Sequence, residues 1–265
     1  MVGMRVPRPL LPLALGLALA GTPVAAGCAA GGVPPAPLPS DSPAPAPAAR
    51  AELAARAAAA QDLVGVTVYT LVTRGRPDRT VLVVRAADGS WRVDVPGAAL
   101  GGTADVSIVG TEAGMFHCAL ATPPDPGSCV RVKALGPEVD PRVQHVFTDW
   151  LDVFTDRSAA VAVAPATPPP GVGGRCFAVQ PSAASLEPPV DAGVYCFDPD
   201  GTLTGASLAL GELTLATGGG APPPVIDLPG PVVDGRPLPT ASPTPPPGPT
   251  ATPTASPAAP ADPAR

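Results

Sequence analysis

Between residues 48 and 217 the spacing of apolar side chains changes period several times, and each change marks an element. Residues 48–64 are alanine-rich, with Leu53, Ala57, Ala60 and Val64 at helical intervals and Glu52 four residues before Arg56. This spacing predicts a helix. From Val66 the period drops to two. Residues 66–73 and 80–85 are rich in β-branched residues and alternate, with a turn over 75–78 between them, the pattern of two strands. Asp88-Gly89 marks a tight hairpin into a third strand at 91–95. After a loop over 96–102, residues 104–109 and 115–120 predict a hairpin across Glu112-Ala113-Gly114, and 128–134 predict one more strand.

A second helix is expected next, with Asp140 as its cap and Pro141 at its first position. Val143, Val146, Phe147, Trp150, Leu151 and Phe154 form one continuous apolar stripe, and Gln144, Thr148, Asp149, Asp152 and Asp156 the opposite, polar side. Such a helix must lie on a sheet face, and the concave side of the preceding strands is the expected place, with Trp150 its largest contact. Past a proline-rich break at 165–174, strands are expected near 176–179, 194–197, 203–208 and 213–217, with Asp198-Pro199-Asp200-Gly201 as a hairpin turn. The count is about ten strands and two helices. Residues 222–239 read as an extended segment along a sheet edge, because Val225, Ile226, Leu228, Val232 and Val233 are too apolar for a free tail.

Composition narrows the reading. The 42 prolines would suggest disorder if evenly spread, but they concentrate at the two ends and in short loops, which leaves a foldable middle of ordinary domain size. The net charge is −6 and the only lysine is Lys133. No basic patch exists to grip phosphates, so nucleic acid is excluded as an expected partner. The abundance of alanine, proline, glycine, valine and arginine resembles the residue usage of GC-rich actinobacterial genomes.

At the start of the chain, Arg5 and Arg8 precede an apolar run over residues 10–20, which is too short to span a bilayer but suits an export signal. The run closes on Val24-Ala25-Ala26-Gly27-Cys28. This segment resembles the lipobox of bacterial lipoproteins, in which the cysteine is diacylated and becomes the first residue of the mature chain. The resemblance implies a signal peptide at 1–27, and composition divides the rest into a Pro/Ala-rich tether at 28–47, a folded domain at 48–239, and a Pro/Thr/Ala-rich tail at 240–265. The resemblance also implies anchoring by Cys28 on the extracytoplasmic face of the cell membrane, two acyl chains giving the stable attachment that one does not. The alternative is a plain signal peptide with Cys28 an incidental thiol.

The order of elements adds a second resemblance. An Ala-rich helix, a strand meander with Asp88-Gly-Ser-Trp-Arg-Val-Asp-Val95, a capped amphipathic helix and hairpins ending in Tyr195-Cys-Phe-Asp-Pro-Asp-Gly-Thr-Leu203 together resemble the lipoprotein-carrier (LolA-like) family. That resemblance covers roughly residues 48–217. It implies an α+β fold, an antiparallel open half-barrel sheet with two helices on its concave face, and a non-catalytic protein holding a lipid-like ligand in a cleft. Phe147, Trp150 and Phe154 are the candidate cleft residues. The alternative is a protein-interaction or sensory lipoprotein with a filled core.

The remaining chemistry is sparse. Cys118, Cys129, Cys176 and Cys196 allow three disulfide pairings. Neighbour pairing is expected, since each pair then joins consecutive strands across a proline-rich loop in an exported chain. A metal site on His117, Cys118 and Cys129 lacks ligand spacing. His117 and His145 are the only histidines, without a Gly-x-Ser-x-Gly elbow near either, so neither catalysis nor a cofactor is expected. His145 is expected to be solvated, as are Asp149, Asp152 and Asp156. The glycines at 101–102 and 218–220 read as loop residues.

Overall fold

The computed structural model describes residues 46–182 and 188–240. The signal segment, Cys28, the tether up to residue 45 and the tail beyond residue 240 lie outside the described residues. Helix α1 (Ala46–Gln61) is followed by strands β1 (Gly65–Val72), β2 (Arg79–Arg85), β3 (Trp91–Ala99), β4 (Ala104–Thr111), β5 (Gly114–Ala119) and β6 (Ser128–Val132). A 3-10 turn at Val143–Phe147 leads into α2 (Asp149–Thr155). Strands β7 (Val161–Ala166), β8 (Arg175–Pro181), β9 (Gly193–Phe197), β10 (Leu203–Leu208) and β11 (Gly211–Gly220) complete the chain of elements.

All eleven strands belong to one antiparallel sheet in the order β6-β5-β4-β3-β2-β1-β11-β10-β9-β8-β7. The first and last strands of the chain meet at its centre, with Leu71 opposite Leu213, and the sheet stays open because β6 and β7 do not pair with each other. The architecture is the α+β open half-barrel with two helices.

Alternation along the strands sorts side chains into two clusters, as period-two patterning requires. Tyr69, Leu71, Val81, Val83, Val93 and Val95 point into the helix-covered concave face, where they meet Leu53 and Ala57 of α1 and Phe147, Leu151 and Phe154. Val109, Phe116, Cys118 and Cys129 point the other way and are covered by Ile226 and Leu228 of the C-terminal segment. That segment runs beside the edge strand: Cys129 N–H donates to Pro231 O at 2.8 Å and Val233 N–H to Cys129 O at 2.9 Å. Val232 thereby forms a parallel bridge with Cys129.

Three sequence expectations change. The eleventh strand is β7, in which Val161 and Val163 are buried while Ala162 and Ala164 are exposed; alanines and Pro165 dilute the branched-residue signal there. The glycines at 218–220 extend β11 instead of forming a loop, with Gly220 opposite Val66.

The third change concerns the second helix, which is broken at Thr148 (φ −128°, ψ −112°). Asp140 does accept the Arg142 N–H at 2.7 Å, but Arg142 sits at φ 59° and the chain enters a 3-10 turn. In a continuous helix the Leu151 N–H would take the Phe147 carbonyl. It takes the Thr148 carbonyl instead, at 3.0 Å. The Phe147 carbonyl is left to accept from the Arg85 guanidinium on β2. The Thr148 hydroxyl lies 3.1 Å from the Gln144 carbonyl, a back-bond of the kind that bends helices. Consequently α2 turns away from the first strands toward β9, where Trp150 meets Tyr195.

Candidate ligand-binding site

The break in the helical layer leaves a cavity of about 360 Å³ between helices and sheet. Its floor is the concave face at the centre of the sheet, with Thr67 and Tyr69 of β1 and Val83 and Arg85 of β2. Its roof is the end of α1 with the following residues, Ala60, Leu63 and Val64, together with Val146, Phe147 and Leu151 from either side of the break. Phe197, Leu203 and the β9–β10 turn close one side. Gly218 and Gly219 contribute no side chains to the wall, so the opening lies beside them and the exposed Val64.

The turn predicted at 198–201 holds the wall in place. Asp198 N–H donates to Thr202 O at 2.9 Å and Gly201 N–H to Asp198 O at 3.0 Å. Gly201 has φ 91°, and a Cβ there would stand 2.2 Å from the Ala60 nitrogen. Only glycine satisfies both the backbone angle and the contact with α1.

Among the described residues, Arg85 is the one basic residue in the cavity wall. It is half-buried and donates to the Ala60 carbonyl at 3.0 Å and to the Phe147 carbonyl, tying α1 and the 3-10 turn to the sheet. Burial holds its pKa below the ordinary arginine value, with the neighbouring Tyr69 acting in the opposite direction. The Tyr69 phenol is pushed up to about 12, chiefly by burial, against a lowering hydrogen bond from Thr67. It therefore stays neutral at physiological pH. The rest of the wall is mainly aliphatic and aromatic, a composition suited to an apolar ligand with a polar group.

Of the three aromatic cleft candidates, Phe147 lines the cavity, its ring 4.8 Å from that of Tyr69. Trp150 and Phe154 are not in its wall. They pack on Tyr195, with ring centroids 6.2 and 5.0 Å apart, because the break at Thr148 carries them to the other end of the helical layer. Arg85 went unrecognised as a site residue in the sequence, although the alternation Val81, Val83, Arg85 puts it on the apolar face. A charge at an inward position is the signal that marks it.

The four remaining cysteines form two disulfides, Cys118–Cys129 and Cys176–Cys196. Each joins directly opposite residues of neighbouring strands, β5 with β6 and β8 with β9. Neither takes part in the cavity. His117 is 2 % exposed and its Nε2 meets no partner among the described residues; burial holds its pKa down.

His145 is not simply solvated. It bridges Asp140 (Nε2 to Oδ2, 2.9 Å) and Asp149 (Nδ1 to Oδ1, 2.6 Å) across the helix break. Burial works against the charged ring, but the two carboxylates raise its pKa to about 9. Asp149, Asp152 and Asp156 are exposed as expected, yet each accepts a side-chain hydrogen bond: Asp149 from His145 and Asp156 from Ser158 locally, and Asp152 from Gln61 of α1. Among the described residues no group of three or more His, Cys, Asp or Glu converges on a metal-sized site.

No protein-family model matches the chain, and no curated protein matches it either. The geometry of the cavity therefore carries the functional reading.

Proposed function

We propose that this protein is a non-catalytic, extracytoplasmic binding module, held at the cell membrane by a diacylated Cys28, that carries an apolar or amphiphilic ligand in the cavity beneath its broken helical layer. The cavity is the supporting observation. At about 360 Å³ it falls within the size range of small-molecule sites, roughly 300–1,000 Å³. Its walls are mostly apolar, and it opens beside glycines at the end of β11. Such a void costs packing contacts that a filled core would keep, which weighs against a purely interaction-based role with a filled core. The two disulfides suit an oxidising compartment.

The test is recovery of the full chain from the membranes of cells that produce it, followed by native mass spectrometry and organic extraction. Added mass released as an amphiphile, together with a diacylglyceryl group on Cys28, is the expected result. A ligand-free protein that also fails to bind any added fatty acid or lysolipid overturns the proposal for the cavity; an unmodified cysteine overturns the anchor.

A further inference from the structure

Three polar donors of the cavity are gathered on its floor, apart from Thr202 in the β9–β10 turn. Arg85, Tyr69 and Thr67 all belong to its floor. On the β1 side the cross-strand neighbour of Arg85 is Gly65, which has no side chain to cover the guanidinium; on the β3 side it is Trp91, which lies outside the cavity wall. A guanidinium carries five N–H groups. Two are used, on the carbonyls of Ala60 and Phe147, and the other three have no protein partner among the described residues. Other arginines are neutralised by carboxylates: Arg56 and Arg175 by Glu52, Arg92 by Asp94, Arg142 by Asp191. Arg50 and Arg79 bond only neutral oxygens, like Arg85, but they lie outside the cavity.

A partly desolvated cation without an anion is unfavourable unless a counter-charge arrives. Resting on the ligand-binding reading above, we infer that the Arg85 guanidinium receives the anionic head, carboxylate or phosphate, of a single-chain amphiphile, with the Tyr69 and Thr67 hydroxyls as flanking groups. Planar N–H pairs match the oxygens of either head in a bidentate way. Size limits the apolar part: at about 30 Å³ per water-sized group, the cavity holds on the order of a dozen such groups, enough for one acyl chain. Asp200 also belongs to the wall, but it is exposed and its carboxylate accepts the Thr202 N–H at 2.9 Å. Among the described residues it forms no ion pair with Arg85.

Calorimetric titration of the delipidated full chain with four ligands of one chain length tests the assignment: dodecanoate, dodecyl phosphate, dodecanol and dodecyltrimethylammonium. The two anions are expected to bind about tenfold to a hundredfold more tightly than dodecanol, as a charged hydrogen bond contributes, and the ammonium most weakly. The tighter of the two anions names the source, fatty acid or phosphorylated lipid. Arg85→Met is expected to erase the advantage and Tyr69→Phe to narrow it. Should Arg85→Met fail to fold, because Arg85 also ties α1 to the sheet, the wild-type series and Tyr69→Phe still decide. Dodecanol binding as tightly as dodecanoate overturns the head assignment and leaves the cavity's role standing. Failure of all four to bind overturns both.

Discussion

The two ends of the helical layer rest on the same sheet and are built differently. Near β9, Trp150 and Phe154 close edge-on against Tyr195, and the Tyr195 hydroxyl donates to the Asp191 carbonyl at 2.7 Å. Large rings with one satisfied polar tip fill that end. Near β1, the rings of Tyr69, Phe147 and Phe197 are interspersed with Ala60, Thr67, Gly218 and Gly219, and these small residues under a broken helix leave a void. Stability resides where large rings fill the layer; capacity for a ligand resides where small residues sit among them. The hinge between the two is Thr148, with the Arg85 bond to Phe147 on one side and the His145 bridge on the other.

The largest expected effect breaks the filled end. Phe154→Ala should lower unfolding free energy by about 3–5 kcal/mol, since Phe154 is 2 % exposed and its neighbours cannot collapse fully into the gap; urea denaturation measures it. Next is Gly201→Ala at the rim of the hollow end. Left-handed backbone strain of about 1–3 kcal/mol is expected, and the added Cβ must push α1 away, so ligand affinity should fall along with stability.

A smaller effect follows from His145, which staples the hinge. Its folded-state pKa of about 9 lies above the ordinary 6.5, so its contribution is fully present below about pH 6.5 and disappears as pH rises through 9. The loss should be on the order of 1 kcal/mol, because the exposed Asp149 is screened by water. His145→Gln should flatten the stability profile between pH 6.5 and 9 and also weaken its acid limb, because burial raises the pKa of Asp149 and it is chiefly His145 that lowers it. The smallest effect on folding sharpens the contrast: Val64→Trp, at a position 53 % exposed beside the opening, should change stability by no more than about 0.5 kcal/mol. The same substitution should block ligand uptake in a titration.

Much of the sheet is legible in the sequence because β-branched alternation is a local signal. Val81, Val83, Val93 and Val95 announce their strands and their buried face. The Asp88-Gly89 turn is equally local: Asp88 accepts the Ser90 N–H at 2.9 Å, an interaction spanning two residues. The helix break is hidden for the opposite reason. Apolar spacing from Val143 to Phe154 suits a continuous helix, and the partner that takes up the freed Phe147 carbonyl, Arg85, is 62 residues away in sequence. The placement of Trp150 and Phe154 fails with it, since both move once the axis turns. A cavity is less legible still, because it is what remains after non-local packing, and glycines that would signal a loop can equally mark a strand that leaves space.

The strap formed by residues 222–240 has a consequence for how molecules meet one another. An eleven-strand sheet that never closes has two rims of unspent backbone groups, each a template on which a second copy could stack into a fibril. On the β6 rim the strap occupies that template with its own chain through Val232 and Val233, while on the β7 rim Pro165 withholds a donor. Each rim is thus closed to a second copy, one by the chain's own strap and the other by a proline.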